Sequence, residues 1–313
     1  KPKTLYFQGI YDLKNNAMLI KKYAAIDIGS NAIRLLITST IEERNKETKF
    51  KKTSLIRVPI RLGADVFTLG LVSTDNYNRM LESMKAFKLL MNVHNVSNYR
   101  ACATSAMREA KNGKEITKSI KKKTGIDIEI IDGNEEAEII ALTNLKSYLV
   151  HDKTFLYVDV GGGSTELTIF SQGKSVLSKS FKIGTVRLIN DLVSDRIWNQ
   201  MKLWVKAHTK KYPQITLLGT GGNINSTYKF SGTKPGKPLS ARYLKEYFNT
   251  VKSFSYEERI SKLGMNSDRA DVILPALKVY LSAMKWSGAK EVYVPKIGLS
   301  DGIIRSLHKD EYV

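Results

Sequence analysis

Two short stretches carry the residue types that could do chemistry. One reads Tyr-Val-Asp-Val-Gly-Gly-Gly-Ser-Thr-Glu from Tyr157 to Glu166, the other Tyr-Ala-Ala-Ile-Asp-Ile-Gly-Ser-Asn from Tyr23 to Asn31. In each, an apolar run of strand type carries one acid, Asp159 or Asp27, and then meets glycine, which a strand interior disfavours. Without a Cβ, Gly29, Gly161, Gly162 and Gly163 let a ligand come up to the backbone, so successive N–H groups can turn toward an anion. Ser30, Asn31 and Ser164 can donate to phosphate oxygens beside those amides. Asp27 and Asp159 offer the hard oxygens that Mg2+ takes one or two at a time. Each can also satisfy N–H groups of its own turn. The two loops look like one phosphate-binding device used twice.

The elements around them repeat in order. After the first loop, Ala32–Thr40 and Phe50–Ile60 read as strands, and Ser73 or Thr74 caps a helix with Tyr77, Met80, Leu81, Met84, Phe87, Leu90 and Met91 at helical spacing. A strand over Tyr99–Ala103 and a helix near Lys114–Lys123, stopped by Gly125, come next. Ile126, Ile128 and Ile130 alternate with acids as a strand, and Asn134 is expected to cap a helix running to about Leu149. The second half has strands at Phe155–Val160, Leu167–Phe170 and Ser175–Lys182, a helix at Asp195–Lys210, and a strand at Ile215–Leu218 entering the loop Gly219–Asn223. An extra helical stretch, Arg242–Trp286, precedes a strand at Glu291–Val294 and a last helix beginning near Asp301.

A repeat of this length predicts a duplicated α/β fold of the actin-like, sugar-kinase-like (ribonuclease H-like) type, two domains facing a central cleft. The expected division is 18–141 for the first domain and 142–313 for the second, with the last helix returning to the first. Residues 1–17 contain Leu-Tyr-Phe-Gln-Gly, a protease-cleavage sequence, and are read as an expression tag and linker.

Among 313 residues, 50 Lys and Arg against 30 Asp and Glu give a formal charge of +20, a field that a polyanion would feel at a distance. Lys121-Lys122-Lys123 and Lys210-Lys211 lie at expected helix ends, where cations favour the helix dipole, and form no nucleic-acid motif. No apolar run reaches membrane-spanning length and no signal peptide is visible, so a cytoplasmic protein is expected. The single cysteine, Cys102, excludes an internal disulfide and fits a buried strand position. The four histidines show no metal-ligand spacing.

Seven motifs in order resemble the exopolyphosphatase and guanosine pentaphosphate phosphohydrolase (Ppx/GppA) family. They are Ala-Ile-Asp-Ile-Gly-Ser-Asn at 25–31, Arg61-Leu62-Gly63, Ala-Thr-Ser-Ala-Met-Arg-Glu-Ala at 103–110, and Gly-Asn-Glu-Glu-Ala at 133–137. The others are Asp-Val-Gly-Gly-Gly-Ser-Thr-Glu at 159–166, Gly-Thr-Gly-Gly at 219–222 and Arg-Ala-Asp-Val-Ile at 269–273. The resemblance implies hydrolysis of a terminal phosphoanhydride, usually with Mg2+, in the cleft, and the basic charge leans toward inorganic polyphosphate, the longer polyanion, as substrate. The resemblance further implies a catalytic base at Glu136, with Glu135 the neighbouring alternative, and a second carboxylate at Glu166.

The residues suit those roles. Such a hydrolysis needs an oriented water, a base and groups that hold the transferred oxygens. Glu136 stands in the first turn of its helix, where an acid is also favoured by the dipole. Arg108, where a strand gives way to a helix, suits bidentate phosphate contact. Arg61, Thr104, Ser105, Gly221 and Gly222 are further candidates for the cleft. Whether Gly219–Asn223 holds a nucleotide stays open.

Three features depart from the family pattern. The chain stops near residue 313, without the extra C-terminal domains of longer members; Gly-Leu-Ser-Asp-Gly at 298–302 replaces the usual Gly-Leu-Arg-Glu-Gly; one residue more than usual separates Glu136 from Glu166. Rival readings are a guanosine pentaphosphate hydrolase, an ATP-dependent kinase of the same fold, and a non-catalytic polyanion-binding module. The resemblance also suggests a homodimer.

Overall fold

In a computed structural model of the chain, residues 18–143 and 153–311 are described. The first half contains β1 (Leu19–Ile28), β2 (Ile33–Glu42), β3 (Lys49–Val58), α1 (Leu62–Leu69), α2 (Thr74–Val93), β4 (Asn98–Ala103), α3 (Ser105–Glu109), α4 (Gly113–Thr124), β5 (Ile128–Ile130) and α5 (Gly133–Ala141). The second contains β6 (Thr154–Val160), β7 (Thr165–Ser171), β8 (Lys174–Phe181), α6 (Thr185–Ile189), α7 (Asp195–Thr209), β9 (Ile215–Thr220) and α8 (Gly222–Phe230). It continues with β10 (Leu239–Ser240), α9 (Ala241–Ser253), α10 (Tyr256–Ser261), α11 (Ser267–Ala270), α12 (Ile273–Ser287), β11 (Glu291–Tyr293) and α13 (Leu299–Asp310).

The sheet orders are β3-β2-β1-β4-β5 and β10-β11-β9-β6-β7-β8. Apart from the short edge strand β10, they are the same sheet built twice. In each, the central strand pairs antiparallel with its successor (β1 with β2, β6 with β7) and parallel with the strand reached through a helical crossover (β4, β9). Central strands need apolar side chains on both faces. Accordingly Tyr23–Ile28 and Phe155–Val158 are buried throughout, whereas β8 exposes nearly its whole length.

Each sheet has its own core on its outer face. Met80, Met84 and Phe87 of α2 cover the first, and Leu277, Tyr280 and Met284 of α12 join the second. A third core lies between the sheets. Tyr23, Leu36 and Cys102 from one sheet and Phe155, Tyr157 and Leu218 from the other enclose Ile139 and Ile140 of α5 with Leu299, Ile303, Ile304 and Leu307 of α13. Gly302 lies so close to the Ile139 carbonyl that a Cβ would have no room. The last helix thus packs on β1 and α5 and joins the halves behind the cleft.

Several boundaries depart from expectation. The helix α1 was not anticipated; Arg61 and Gly70 bracket it in left-handed conformations. The cap of α5 is Asp132, which accepts from Asn134 N and Glu135 N, so Asn134 is already inside the helix. That helix ends at Ala141 rather than near Leu149, and 144–149 lie outside the described residues. Among the described residues no helix is long and apolar enough to cross a membrane.

Candidate active site

The two glycine loops lie at the C-terminal ends of β1 and β6 and touch each other. In each, the first glycine closes a tight turn, Gly29 N–H on the Ala32 carbonyl at 3.1 Å and Gly161 N–H on the Ser164 carbonyl at 3.0 Å. A Cβ on Gly162 would stand 2.9 Å from Ser30 Cβ and 3.1 Å from Asn31 N, closer than real side chains tolerate. Gly221, at φ +104°, brings a third turn against Asp159, where a Cβ would lie 3.0 Å from Oδ1. These glycines are required because backbones meet there.

Three carbonyls of the second loop and two of the first are claimed from behind. Thr185 N–H donates to the Gly161 carbonyl at 3.0 Å and Val186 N–H to that of Gly162 at 2.8 Å. Arg187 Nε donates to that of Gly163 at 2.7 Å. Across a trans peptide the next N–H points the opposite way, so the amides of Gly162, Gly163 and Ser164 turn from α6 toward the cavity that the loop lines. In the first loop Gly63 N–H takes the Ser30 carbonyl at 2.7 Å and Arg61 N–H that of Asn31 at 2.9 Å. The device is the same.

Between the loops lies a cavity of about 570 Å3; six acids line it, and four of them, Asp27, Glu136, Asp159 and Glu166, concern the chemistry. Asp27 is neutralised by Arg34, Nη1 to Oδ2 at 2.7 Å. Asp159 has no such partner: it accepts from the Tyr157 hydroxyl at 3.5 Å, and burial, opposed by Arg34, lifts its carboxyl to about 6. Glu166 accepts from Ser180 Oγ at 3.0 Å, and burial with the charge of Asp159 pushes it up. Glu136 is pushed well above the carboxylate range by burial and by Glu166 and Asp159. Its Oε2 is buried without a hydrogen-bond partner, 4.0 Å from Arg108 Nη1.

The structure brings most of the expected residues together. Gly29, Ser30, Asn31, Gly161, Gly162, Gly163 and Ser164 line the cavity with the four acids, as do Thr104, Ser105, Gly221 and Gly222. Three do not. Glu135 points away into an ion pair with Arg100 at 2.7 Å, which leaves Glu136 as the acid that faces the cavity. Arg108 stands behind Glu136, donating to the Ile131 carbonyl. Arg61 is paired with Asp271 at 2.7 Å. The Asn31 amide is partly used as well, donating to the Asp268 carbonyl at 3.4 Å.

Six cations of the cavity wall went unassigned in the sequence: Arg34, Lys52, Arg57, Lys229, Arg269 and Lys296. Arg34 sits directly across the β1–β2 ladder from Asp27. Lys52 and Arg57 of β3 pair with Asp301, at 2.7 Å, and Asp268 of the other half. Nothing in the charged pattern of that strand marks them. Arg269, within a quoted motif, lies against Gly222 and donates to its carbonyl, and burial holds its guanidinium down to about 10.

Among the described residues no group of three or more His, Cys, Asp or Glu converges closely enough to hold a metal by itself. A divalent ion bound by one or two carboxylates and the ligand's phosphates fits better, since Mg2+ keeps much of its shell in water and phosphate oxygen. The donor set suits it: hard oxygens whose mutual repulsion a cation would relieve, one of them without a partner.

A model of the Ppx/GppA phosphatase family matches residues 40–311. Exopolyphosphatase 1 of Mycobacterium tuberculosis is 21% identical over 304 residues, covering 90% of this chain and 87% of that protein. Among solved structures, the Ppx/GppA family member of Aquifex aeolicus is 26% identical with a TM-score of 0.73, covering 94% of this chain and 100% of its own. An exopolyphosphatase from Cytophaga hutchinsonii is 24% identical with a TM-score of 0.79, covering 93% and 98%.

Proposed function

The chain belongs to the Ppx/GppA phosphatase family, and from that premise we propose that it hydrolyses the terminal phosphoanhydride of inorganic polyphosphate with Glu136 as general base. The observation that carries the assignment is the Glu136 carboxylate, facing the cavity opposite the glycine loops with one oxygen buried and unpartnered. A water at that oxygen would satisfy it and be held for attack.

In this reading the terminal phosphate sits against the outward amides of Gly162, Gly163 and Ser164, with the first loop and the hydroxyls of Ser30 and Ser105 on the other side. Fixed N–H groups stabilise the charge gathering on the transferred oxygens without reorganising during reaction. Glu136 takes the proton of the attacking water, and its raised proton affinity suits it to that transfer. Glu166 orients the same water from the opposite wall. Asp159, with Asp27 beside it, would hold Mg2+, which supplies charge neutralisation on the phosphate oxygens. The rest of the chain lies along Lys52, Arg57 and Lys296, in the field of a protein with a formal charge of +20.

The test is phosphate release by the wild type and by Glu136→Gln, with Mg2+ and separately long-chain polyphosphate and guanosine pentaphosphate. Release from polyphosphate by the wild type, with kcat lowered by about 10^3 in the variant, is the expected outcome, since a positioned base contributes 10^2–10^4. Equal rates in the two proteins would remove Glu136 as the base. Preference for guanosine pentaphosphate would keep the mechanism and replace the substrate.

A further inference from the structure

Arg187 has no part in the reaction as described, yet it is the side chain that ties the glycine loop to the other half of the molecule. It is 8% exposed. Its Nε donates to the Gly163 carbonyl at 2.7 Å, its Nη2 to Glu109 Oε2 at 2.7 Å, and its guanidinium lies 3.7 Å from the centre of the Phe67 ring. Arg187 and Gly163 belong to the second half; Glu109, at the end of α3, and Phe67, on α1, belong to the first. The loop's first two carbonyls are held differently, by backbone N–H groups of Thr185 and Val186 within the second half. Only the third depends on a side chain, and that side chain is oriented from across the cleft.

We propose that Arg187 is a positioning residue that ties the phosphate loop to the first half of the molecule: engagement by Glu109 sets the Gly163–Ser164 peptide so that the Ser164 N–H is aimed at the bound phosphate. The physical reason is the geometry of guanidinium, whose planar fork can serve a carbonyl and a carboxylate at once in fixed directions. Without Glu109, a buried guanidinium loses its counter-charge and is driven to turn toward water, releasing the Gly163 carbonyl. Lys182 also faces Glu109, at 3.4 Å, but is largely exposed and cannot substitute for the fork. The activity readout rests on the phosphohydrolase reading; the binding readout does not.

The experiment uses Glu109→Gln, Arg187→Met and Arg187→Lys in the full chain, with thermal unfolding as the check of folding. The expected kcat falls are about tenfold for Glu109→Gln and about a hundredfold for Arg187→Met, amounts ordinarily seen when a positioning contact is lost. Arg187→Lys falls between, since an ammonium can serve one partner well but not both. Glu109→Gln adds nothing further in the Arg187→Met background. Backbone amide resonances followed on adding inorganic tripolyphosphate should shift for Gly162, Gly163 and Ser164 in the wild type, and lose the Ser164 response in Glu109→Gln.

Glu109 is partly exposed, so its amide variant keeps the test standing if Arg187→Met fails to fold. A Glu109→Gln protein with wild-type kcat and a wild-type Ser164 response overturns the proposal, as do additive effects of the two substitutions. A wild type that turns over no polyphosphate but shows the three amide shifts overturns the functional reading alone. No amide response in the wild type overturns both.

Discussion

The two loops share a backbone and differ in one cross-strand neighbour. In the first half Asp27 lies opposite Arg34 in the β1–β2 ladder; at the matching place in the second half Asp159 lies opposite Glu166 in the β6–β7 ladder. Side chains directly opposite in an antiparallel pair interact, so the same position is an ion pair in one half and a like-charge contact in the other. Asp27 is bound to Arg34 at 2.7 Å, whereas Asp159 is lifted to about 6 and Glu166 is lifted with it. The two turns repeat one geometry, and in the function proposed above the cation-to-acid difference at one ladder position is what makes the second of them the reactive one. The first loop is a neutralised wall. The second stores charge that a cation, a proton or a substrate proton transfer must relieve.

That contrast is broken most directly by Glu166→Gln, which removes the like charge and leaves the shape. The expected loss in kcat is about a hundredfold, within the range for a group that acts on proton transfer. Stability should move the other way. A carboxyl whose folded-state pKa lies above its unfolded value makes the folded chain bind more protons, so the wild type loses stability as pH rises from about 4.5 through that raised pKa. The variant should therefore melt about 2 °C or more above the wild type at pH 8, with the gap closing toward pH 4.5 and shrinking when Mg2+ is added to the wild type. A variant less stable than the wild type at pH 8 would mean that Glu166 is already paired.

The contrast is sharpened by Arg34→Met. Arg34 is the main influence holding Asp159 down, from the opposite half of the molecule, as well as the partner of Asp27. Its loss leaves two acids uncompensated. We expect kcat to fall by about tenfold, the effect of one charge-assisted contact worth about 1.4 kcal/mol, and the acid limb of the rate–pH profile to move upward from about 6, because Asp159 then holds its proton to higher pH. An unmoved acid limb would show that Asp159 does not need to be ionised.

The fold was legible because its signals are local. Apolar runs ending at Asp27 and Asp159, turns at glycine, a helix started by Ser73 and another stopped by Gly125 can be read without a partner, and the repeat of that order gave the architecture. The facing of Glu136 rather than Glu135 was left open in the residues, since both are helix-start acids. What settles the geometry is Arg100 drawing Glu135 away, a contact 35 positions distant. The reach of Arg108 was misjudged for a related reason: its guanidinium is used by the Ile131 carbonyl. The cross-cleft pairs of Lys52, Arg57 and Arg187 were invisible because each joins residues with no spacing relation, in strands or short helices whose patterns look like ordinary surface. A cleft is made of such pairs, so a reading by period recovers its walls and misses what holds them together.

Arg61 is the finest test of how far the two halves correspond. Like Arg187, it stands beside a loop carbonyl and reaches across the cleft, to Asp271 at 2.7 Å. The likeness stops at the atom used. Arg61 holds the Asn31 carbonyl with its backbone N–H, so its side chain can be removed without freeing the loop. The pair is also part-exposed on the Arg61 side, where an ion pair is worth no more than about 1 kcal/mol and salt screens it. Arg61→Ala should therefore lower kcat by no more than about fivefold, the factor that such an energy allows, and the difference should fade at high ionic strength, whereas the Arg187→Met defect should persist there. Arg61 already sits at φ +62°, a conformation unfavourable for any side chain, so alanine adds little strain. If Arg61→Ala instead matched Arg187→Met in size and salt insensitivity, both loops would be positioned by arginines reaching across the cleft, and the first loop would be more than a neutralised wall.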